Sequence, residues 1–473
     1  MPAAEYDDVV KTFSRRSSAR LTSLNITFRR KEELMKTIRN LLAGAAFLAA
    51  IGAAQALADV TVLGWPGGPE EAALRKAAEA YNATAADPDK VKLIFFNRDG
   101  FFDKLAADLA AGSKDFDVNL LATYAIGRYA PFMDPITLPA SAKEVFGEKV
   151  LATMQYGGKQ YGVPTDLSLH FMYYRTDLLD KLLADAAWKA RYEEISEKQL
   201  GKKLDPKDPD QWTWDDWAAT ALFFTKAINP GSPTRYGTVL QMKNLLFNMM
   251  VWHSTARSEG GDWMDASGKI TVNSPAFRTA LELYKKLYDA GASPKDSTTY
   301  EYAEANAAFG SGQAATMLQW SAAFGDLDNK DKTPVVAGKI GAVAPPAGPA
   351  GRFTHIHGLG LGLNKASEHK DSALKFIDWL ATADAMEIYA KAGGSPALTD
   401  ELTTKLASER PDLVKLGQFA GKYGFVMHGG AAAKALQVYE LQAKEFTAYW
   451  SGAKSLDDAL NETEKGMGDL LKP

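Results

Sequence analysis

From about residue 59 the chain alternates short apolar runs with amphipathic helical stretches. "DVTVLGW" is followed by "EEAALRKAAEAYNA", then "VKLIFF", "FFDKLAADLAAG" and "DVNLLA". Brief β-rich runs separated by segments with apolar residues three and four apart predict βαβ units and a parallel, doubly wound sheet. Ligands of such sheets sit beyond the carboxyl ends of the strands. That rule singles out Trp65, Asn97, Arg98 and Asp99, and then Thr123 and Tyr124.

Further along, "NSPAFRTALELYKKLYDAG" predicts a helix with Ser274 as N-cap, Pro275 in the first turn and Gly291 past the end. Phe277, Ala280, Leu281, Tyr284, Leu287 and Tyr288 share its apolar face. Residues 193–211 are charged and carry two Asp-Pro steps, so they read as an exposed excursion. "HGLGLGLN" alternates strictly: Leu359, Leu361 and Leu363 fall on one face of a strand, while Gly358, Gly360 and Gly362 admit close approach on the other. His355 and His357, two apart, share a face. Without a third partner in reach, that spacing points away from a metal site. The glycines also lack the strand-to-helix setting of a phosphate loop.

Composition narrows the function. At 473 residues the chain exceeds one ordinary core, so at least two lobes are expected. A net charge of -4 gives no electrostatic basis for nucleic-acid binding. Ten Trp, 18 Tyr and 22 Phe supply flat surfaces as well as core. The run Leu41 to Ala58, preceded by Lys36 and Arg39 and ending Ala-Leu-Ala, has the three parts of a signal peptide, placed at 35–58, with a mature chain from Asp59. Residues 1–34 do not fit that pattern. Lys31-Glu32-Glu33 can be encoded by a ribosome-binding sequence, so Met35 is the expected start and 1–34 a mis-assigned extension. With no cysteine there is no thiol for a lipid anchor, and a periplasmic protein is the simplest outcome.

Several segments then match one family in order: "GGKQYGVPTDLSLHFMYYRTDLL" with Asp166, "QWTWDDW", "NLLFNMMVWHSTARSEGG", "AEANAAFGSGQAATMLQWSAAF" with Trp320, and "YGFVMHGGAAAKALQVYELQAKEF" with His428. Together they resemble the extracellular solute-binding proteins of ABC importers, in the sugar-binding branch that includes maltose-binding protein. The resemblance implies a two-lobed α/β architecture, the periplasmic binding protein type II fold, with doubly wound sheets joined by a hinge. It divides the mature chain into one lobe of 59–164 with 319–362 and a second of 165–318 with 363–473. It also implies a carbohydrate in the interlobe cleft, delivered by a monomer to a membrane permease, with no cofactor, catalytic residue or metal. The substrate-binding residues it suggests are Trp65, Asn97, Asp99, Tyr124, Asp166, Asn248, Trp320, His357, Gly358 and His428. Phe247 stands near the family's contact positions, and Trp252 is expected in the core.

Two alternatives remain open in the sequence. A binding protein for a charged solute would show several cleft carboxylates for an amine, or an arginine such as Arg98 for an organic acid. A glycoside-acting enzyme would need two opposed carboxylates. Asp215 and Asp216 do not supply them, because Thr213 and Asp216 have capping-box spacing and Trp217 is placed to pack inward.

Overall fold

The structure is a computed structural model and describes residues 60–64, 66–97 and 100–471. The signal-peptide and extension assignments, together with Trp65, Arg98 and Asp99, lie outside the described residues. Strand β1 (Val60–Gly64), helix α1 (Gly68–Asn82), strand β2 (Val91–Phe95), helix α2 (Phe101–Ala110) and strand β3 (Val118–Ala122) form the two βαβ units read from the pattern. β1 pairs in parallel with β2 (Val62 opposite Leu93) and with β3 (Val62 opposite Val118). Every residue of β3 is buried, as expected for a strand covered on both faces. The chain continues through β4 (Met133–Asp134) to β5 (Gly162–Ser168) and, after the single residue Leu169, into β6 (His170–Arg175).

β6 belongs to a different sheet. Helix α3 (Trp214–Phe223), strand β7 (Tyr236–Val239) and helices α4 (Leu246–Ser258), α5 (Pro275–Asp289) and α6 (Tyr302–Gly310) lead to β8 (Ala314–Trp320) and β9 (Ile340–Val343). The second sheet has the order β9-β6-β8-β7. Thr213 caps α3 with the reciprocal Asp216 bond, and Trp217 is fully buried, as the spacing predicts. In α5 the predicted face is buried except Tyr288, which is partly exposed, and Ser274 caps without a side-chain bond. The 193–211 excursion is half helix: a helix at Ala186–Leu200 buries Tyr192, Ile195 and Ser196, so only its later part is a loop.

The chain returns to the first sheet as β10 (His357–Asn364), antiparallel to both β3 and β5. The Gly/Leu alternation has the expected outcome. A Cβ on Gly360 would lie 2.4 Å from the Val163 carbonyl oxygen, and one on Gly362 2.5 Å from that of Tyr161, so the glycines let β5 lie close against β10. Helices α7 (Lys370–Leu380) and α8 (Ala383–Lys391) then pack on the first sheet. α7 contacts β5 and β10 and α8 contacts α1, with Lys375 paired to Asp89 and Tyr389 bonded to Asp166. Helices α9 (Ala435–Trp450) and α10 (Leu456–Leu470) close the chain, with α9 against α4. The expected division at 319–362 and 363–473 therefore needs correction, because β9 pairs in the second sheet while α7 and α8 cover the first. Apolar periodicity identifies which face of an element is buried, but not which of two sheets buries it.

Candidate ligand-binding site

Where the chain passes between the sheets, a cleft opens. From the side of the first sheet come Glu70 in the first turn of α1, Tyr124 just past β3, Ser168 at the end of β5, and His357 and Leu359 on β10. The side of the second sheet contributes Phe247 on α4, Glu301 and Tyr302 where α6 begins, and Trp320 at the end of β8. Residues at strand ends and helix starts converge here because the βα and αβ connections of both sheets open toward the same gap.

Trp320 is held from behind. Tyr173 donates its hydroxyl to the carbonyl oxygens of Trp320 (3.1 Å) and Ser321 (3.0 Å), and the Trp320 amide donates to Gln319 Oε1 (2.9 Å). The amide of Gln319 in turn donates to Asn306 Oδ1 (2.9 Å) and to the Tyr302 carbonyl (3.2 Å), so one buried side chain ties the two aromatic residues of this wall together. Burial raises the Tyr173 phenol well above its ordinary value, so it stays a hydroxyl donor. The Trp320 ring packs on His170 at 4.6 Å, His357 at 4.7 Å and Phe247 at 6.4 Å between centroids. Tyr124 packs edge-on to His357 at 5.6 Å and Phe102 at 5.5 Å.

Beneath this wall four of the six histidines of the chain are gathered. His355 and His357 stack at 4.2 Å with planes 19° apart, confirming the shared face read from their spacing. His170 lies 5.6 Å from His357, and His253, on α4, lies 5.9 Å from His355. His355 Nε2 bonds Tyr439 OH (3.0 Å), His253 Nε2 bonds Gln442 Oε1 (2.7 Å) and His170 Nδ1 bonds Ser254 Oγ (3.2 Å). Among the described residues neither ring nitrogen of His357 has a partner. Burial, reinforced by the neighbouring imidazoles, pushes His170 down to about 3 and His355 and His357 well below the usual histidine value. Burial pushes His253 down to about 3 as well, against its bond to Gln442. Among the described residues no three His, Asp or Glu are arranged to hold a metal ion.

Tyr124, Trp320 and His357 thus meet in the cleft, and Phe247 joins them. Five other suggested contacts are not part of the cleft lining. Asp166 is buried under the first sheet, accepting from Tyr389 OH (2.5 Å) and the Ser395 amide (2.8 Å). Its burial raises the carboxyl above the ordinary range despite those bonds, and it acts as a tie between β5 and α8. Asn248 donates to the carbonyls of Lys243 (3.1 Å) and Tyr300 (2.8 Å) inside the second half of the molecule. His428 is exposed, its amide bonded to Asp262 Oδ1 (2.9 Å), in a separate surface hollow. Asn97 is exposed beyond β2, an edge strand of its sheet, and does not line the cleft. Gly358 is strand pairing: its amide donates to Thr123 Oγ1 (3.2 Å) and its carbonyl accepts from the Thr123 amide (3.0 Å). What approaches that glycine is Thr123 and Thr153, each hydroxyl within 2.8 Å of where a Cβ would stand. Glu70 and Glu301 were missed: Glu70 stands in the first turn of α1 and Glu301 is the N-cap of α6, its side chain accepting from a first-turn amide, and acids there read as ordinary helix-terminal chemistry.

Two sheets, a chain crossing directly from one to the other and a cleft walled by both define the class: a two-lobed α/β binding protein of the periplasmic type. The family comparison is more specific. Residues 65–387 match the bacterial extracellular solute-binding protein family, and the chain belongs to it. The family expected from the motifs, the solute-binding proteins of ABC importers, is thereby borne out. Among its relatives is a probable ABC transporter-binding protein of Deinococcus radiodurans, 28% identical over 65% of this chain and 68% of the relative. Another is a probable amino-acid ABC transporter periplasmic-binding protein of Sinorhizobium fredii, 26% identical over 78% and 80%. The maltose-bound MalE3 of T. maritima superimposes with a TM-score of 0.72 at 25% identity, covering 87% of this chain and all of that one. These relatives are binding proteins.

Proposed function

We propose that the chain is a periplasmic receptor that captures a sugar or oligosaccharide in the cleft, closes by hinge bending at the crossings between the sheets, and delivers its cargo as a monomer to an ABC permease. The observation that carries this reading is the composition of the cleft wall. Trp320, Tyr124 and Phe247 present aromatic surface, while Glu70, Glu301, Ser168 and His357 stand among them. Sugar rings offer C–H patches that stack on aromatic faces, and their hydroxyls take hydrogen bonds in the ring plane, with ionised carboxylates the strongest acceptors. A maltose complex of similar fold supports it.

An amino acid is the second reading, favoured by the Sinorhizobium relative. Its carboxylate calls for a cationic partner, and among the described residues the charged groups lining this cleft are Glu70 and Glu301. Those two acids also raise the glycoside-acting alternative, since they line one cavity. Tryptophan fluorescence of the mature protein, titrated with sugars, polyols, amino acids and polyamines, separates these readings. Saturation by a sugar without release of reducing ends is expected. Saturation only by an amino acid or polyamine overturns the carbohydrate reading, and turnover of an aryl glycoside lost in E301Q overturns simple binding. Export through 35–58 predicts Asp59 as the first residue of the secreted chain by N-terminal sequencing.

A further inference from the structure

The histidine array has one member that the protein leaves unserved. A neutral imidazole has one N–H donor and one acceptor nitrogen, and buried polar groups of this kind are normally paired, each unpaired one costing about 1–3 kcal/mol. His170 and His355 each hold one protein partner, and His253 holds two, Gln442 and Trp263. His357 is 2 % exposed, lines the cleft, and among the described residues has none at either nitrogen. Its ring is nevertheless fixed: His355 covers one face at 4.2 Å, Trp320 stands at 4.7 Å, and Tyr124 meets it edge-on. His355 is itself anchored by Tyr439, from the far side of the array.

Resting on the carbohydrate reading of the same cleft, we propose that His357 reads the ligand through one ring nitrogen, which meets a sugar or polyol hydroxyl, and that His355, held by Tyr439, is the residue that positions it. A hydroxyl both donates and accepts, so it serves that nitrogen in either tautomer. A carboxylate or an ether oxygen satisfies only the donor. The groups facing His357 are the imidazoles of His170, His253 and His355, the phenols of Tyr124 and Tyr302, and the carboxylates of Glu70 and Glu301 across the cleft. Burial among other imidazoles keeps the ring uncharged, so its donor–acceptor pair is available throughout the pH range in which a free histidine titrates.

Calorimetric titration with the sugar that saturates the wild type, at pH 5.5 and 8.0, tests this. Wild-type affinity is expected to change less than about threefold between the two, whereas an ordinary histidine required uncharged would lose about tenfold at pH 5.5. H357F, which keeps a flat buried ring, is expected to bind about 100-fold more weakly while melting no lower, and H357N to recover part of the loss. Y439F is expected to cost about fivefold alone and nothing further in the H357F background, the coupling expected of a positioning residue. Undiminished binding by both H357F and H357N, or a tenfold acid loss in the wild type, overturns the role of His357. A full Y439F effect in the double variant overturns the positioning role. If the wild type binds no sugar at all, the carbohydrate reading falls and this inference falls with it.

Discussion

At the residue scale, the division between aromatic and acidic expectations is instructive. Trp320 and Tyr124 were legible as cleft-lining positions because one ends a strand and the other stands just past one. Asp166 and Asn248 looked equally apt, yet each is consumed inside the protein, by Tyr389 and Ser395 or by the carbonyls of Lys243 and Tyr300. Sequence shows that a polar group is present, not which partner reaches it first. Two substitutions separate these roles. Trp320→Ala removes the stacking face and is expected to weaken ligand binding by about 1–3 kcal/mol, ten- to a hundredfold, with little change in melting temperature. Asp166→Asn leaves either the Tyr389 hydroxyl or the Ser395 amide without a good acceptor. It is expected to lower unfolding free energy by about 1–3 kcal/mol in urea titrations, with affinity within about twofold of wild type.

At the element scale, the period-2 pattern of β10 and the helical faces of α1 and α5 were readable because each face meets a different environment. The exchange of strands between sheets was not readable. β9 and β10 are both short apolar runs, and their assignment to opposite sheets depends on pairing partners far away in sequence. The glycines of β10 give a direct test of the close packing with β5. Gly360→Ala places a methyl 2.4 Å from the Val163 carbonyl oxygen and 2.7 Å from Met154 Sδ. It is expected to destabilise by about 1–3 kcal/mol or prevent folding. Gly417→Ala, in the helix Pro411–Tyr423 at a position where nothing lies within 4 Å of the new methyl, is expected to stabilise by about 0.5–1 kcal/mol. Thermal melts of the two variants should therefore move in opposite directions.

At the scale of the whole molecule, two lobes were foreseeable from length and family motifs, whereas the gathering of four histidines at the crossing was not. They come from β6, α4 and the approach to β10, which no local pattern relates. Their collective effect is on stability against pH. Each imidazole has a lowered value in the folded protein, so below the unfolded value near 6.5 the unfolded chain binds more protons than the native one. Stability is thus fully present above about pH 7 and falls as pH drops through 6.5 toward about 3, where native His170 and His253 take up protons. If all four contribute, the limiting slope is about 5 kcal/mol per pH unit. Urea midpoints at pH 7.5, 6.5 and 5.5 should fall progressively, and a flat profile would remove the neutral array from the structure.

The central claim is that a carbohydrate is held in the cleft against Trp320. Calorimetric titration of the mature wild type and Trp320→Ala side by side, with a panel of mono- and oligosaccharides, tests it most directly. Saturable one-to-one binding of at least one sugar by the wild type, weakened at least tenfold in an equally folded Trp320→Ala, is the predicted result. A panel that binds neither protein, or binds both with equal affinity, would contradict it.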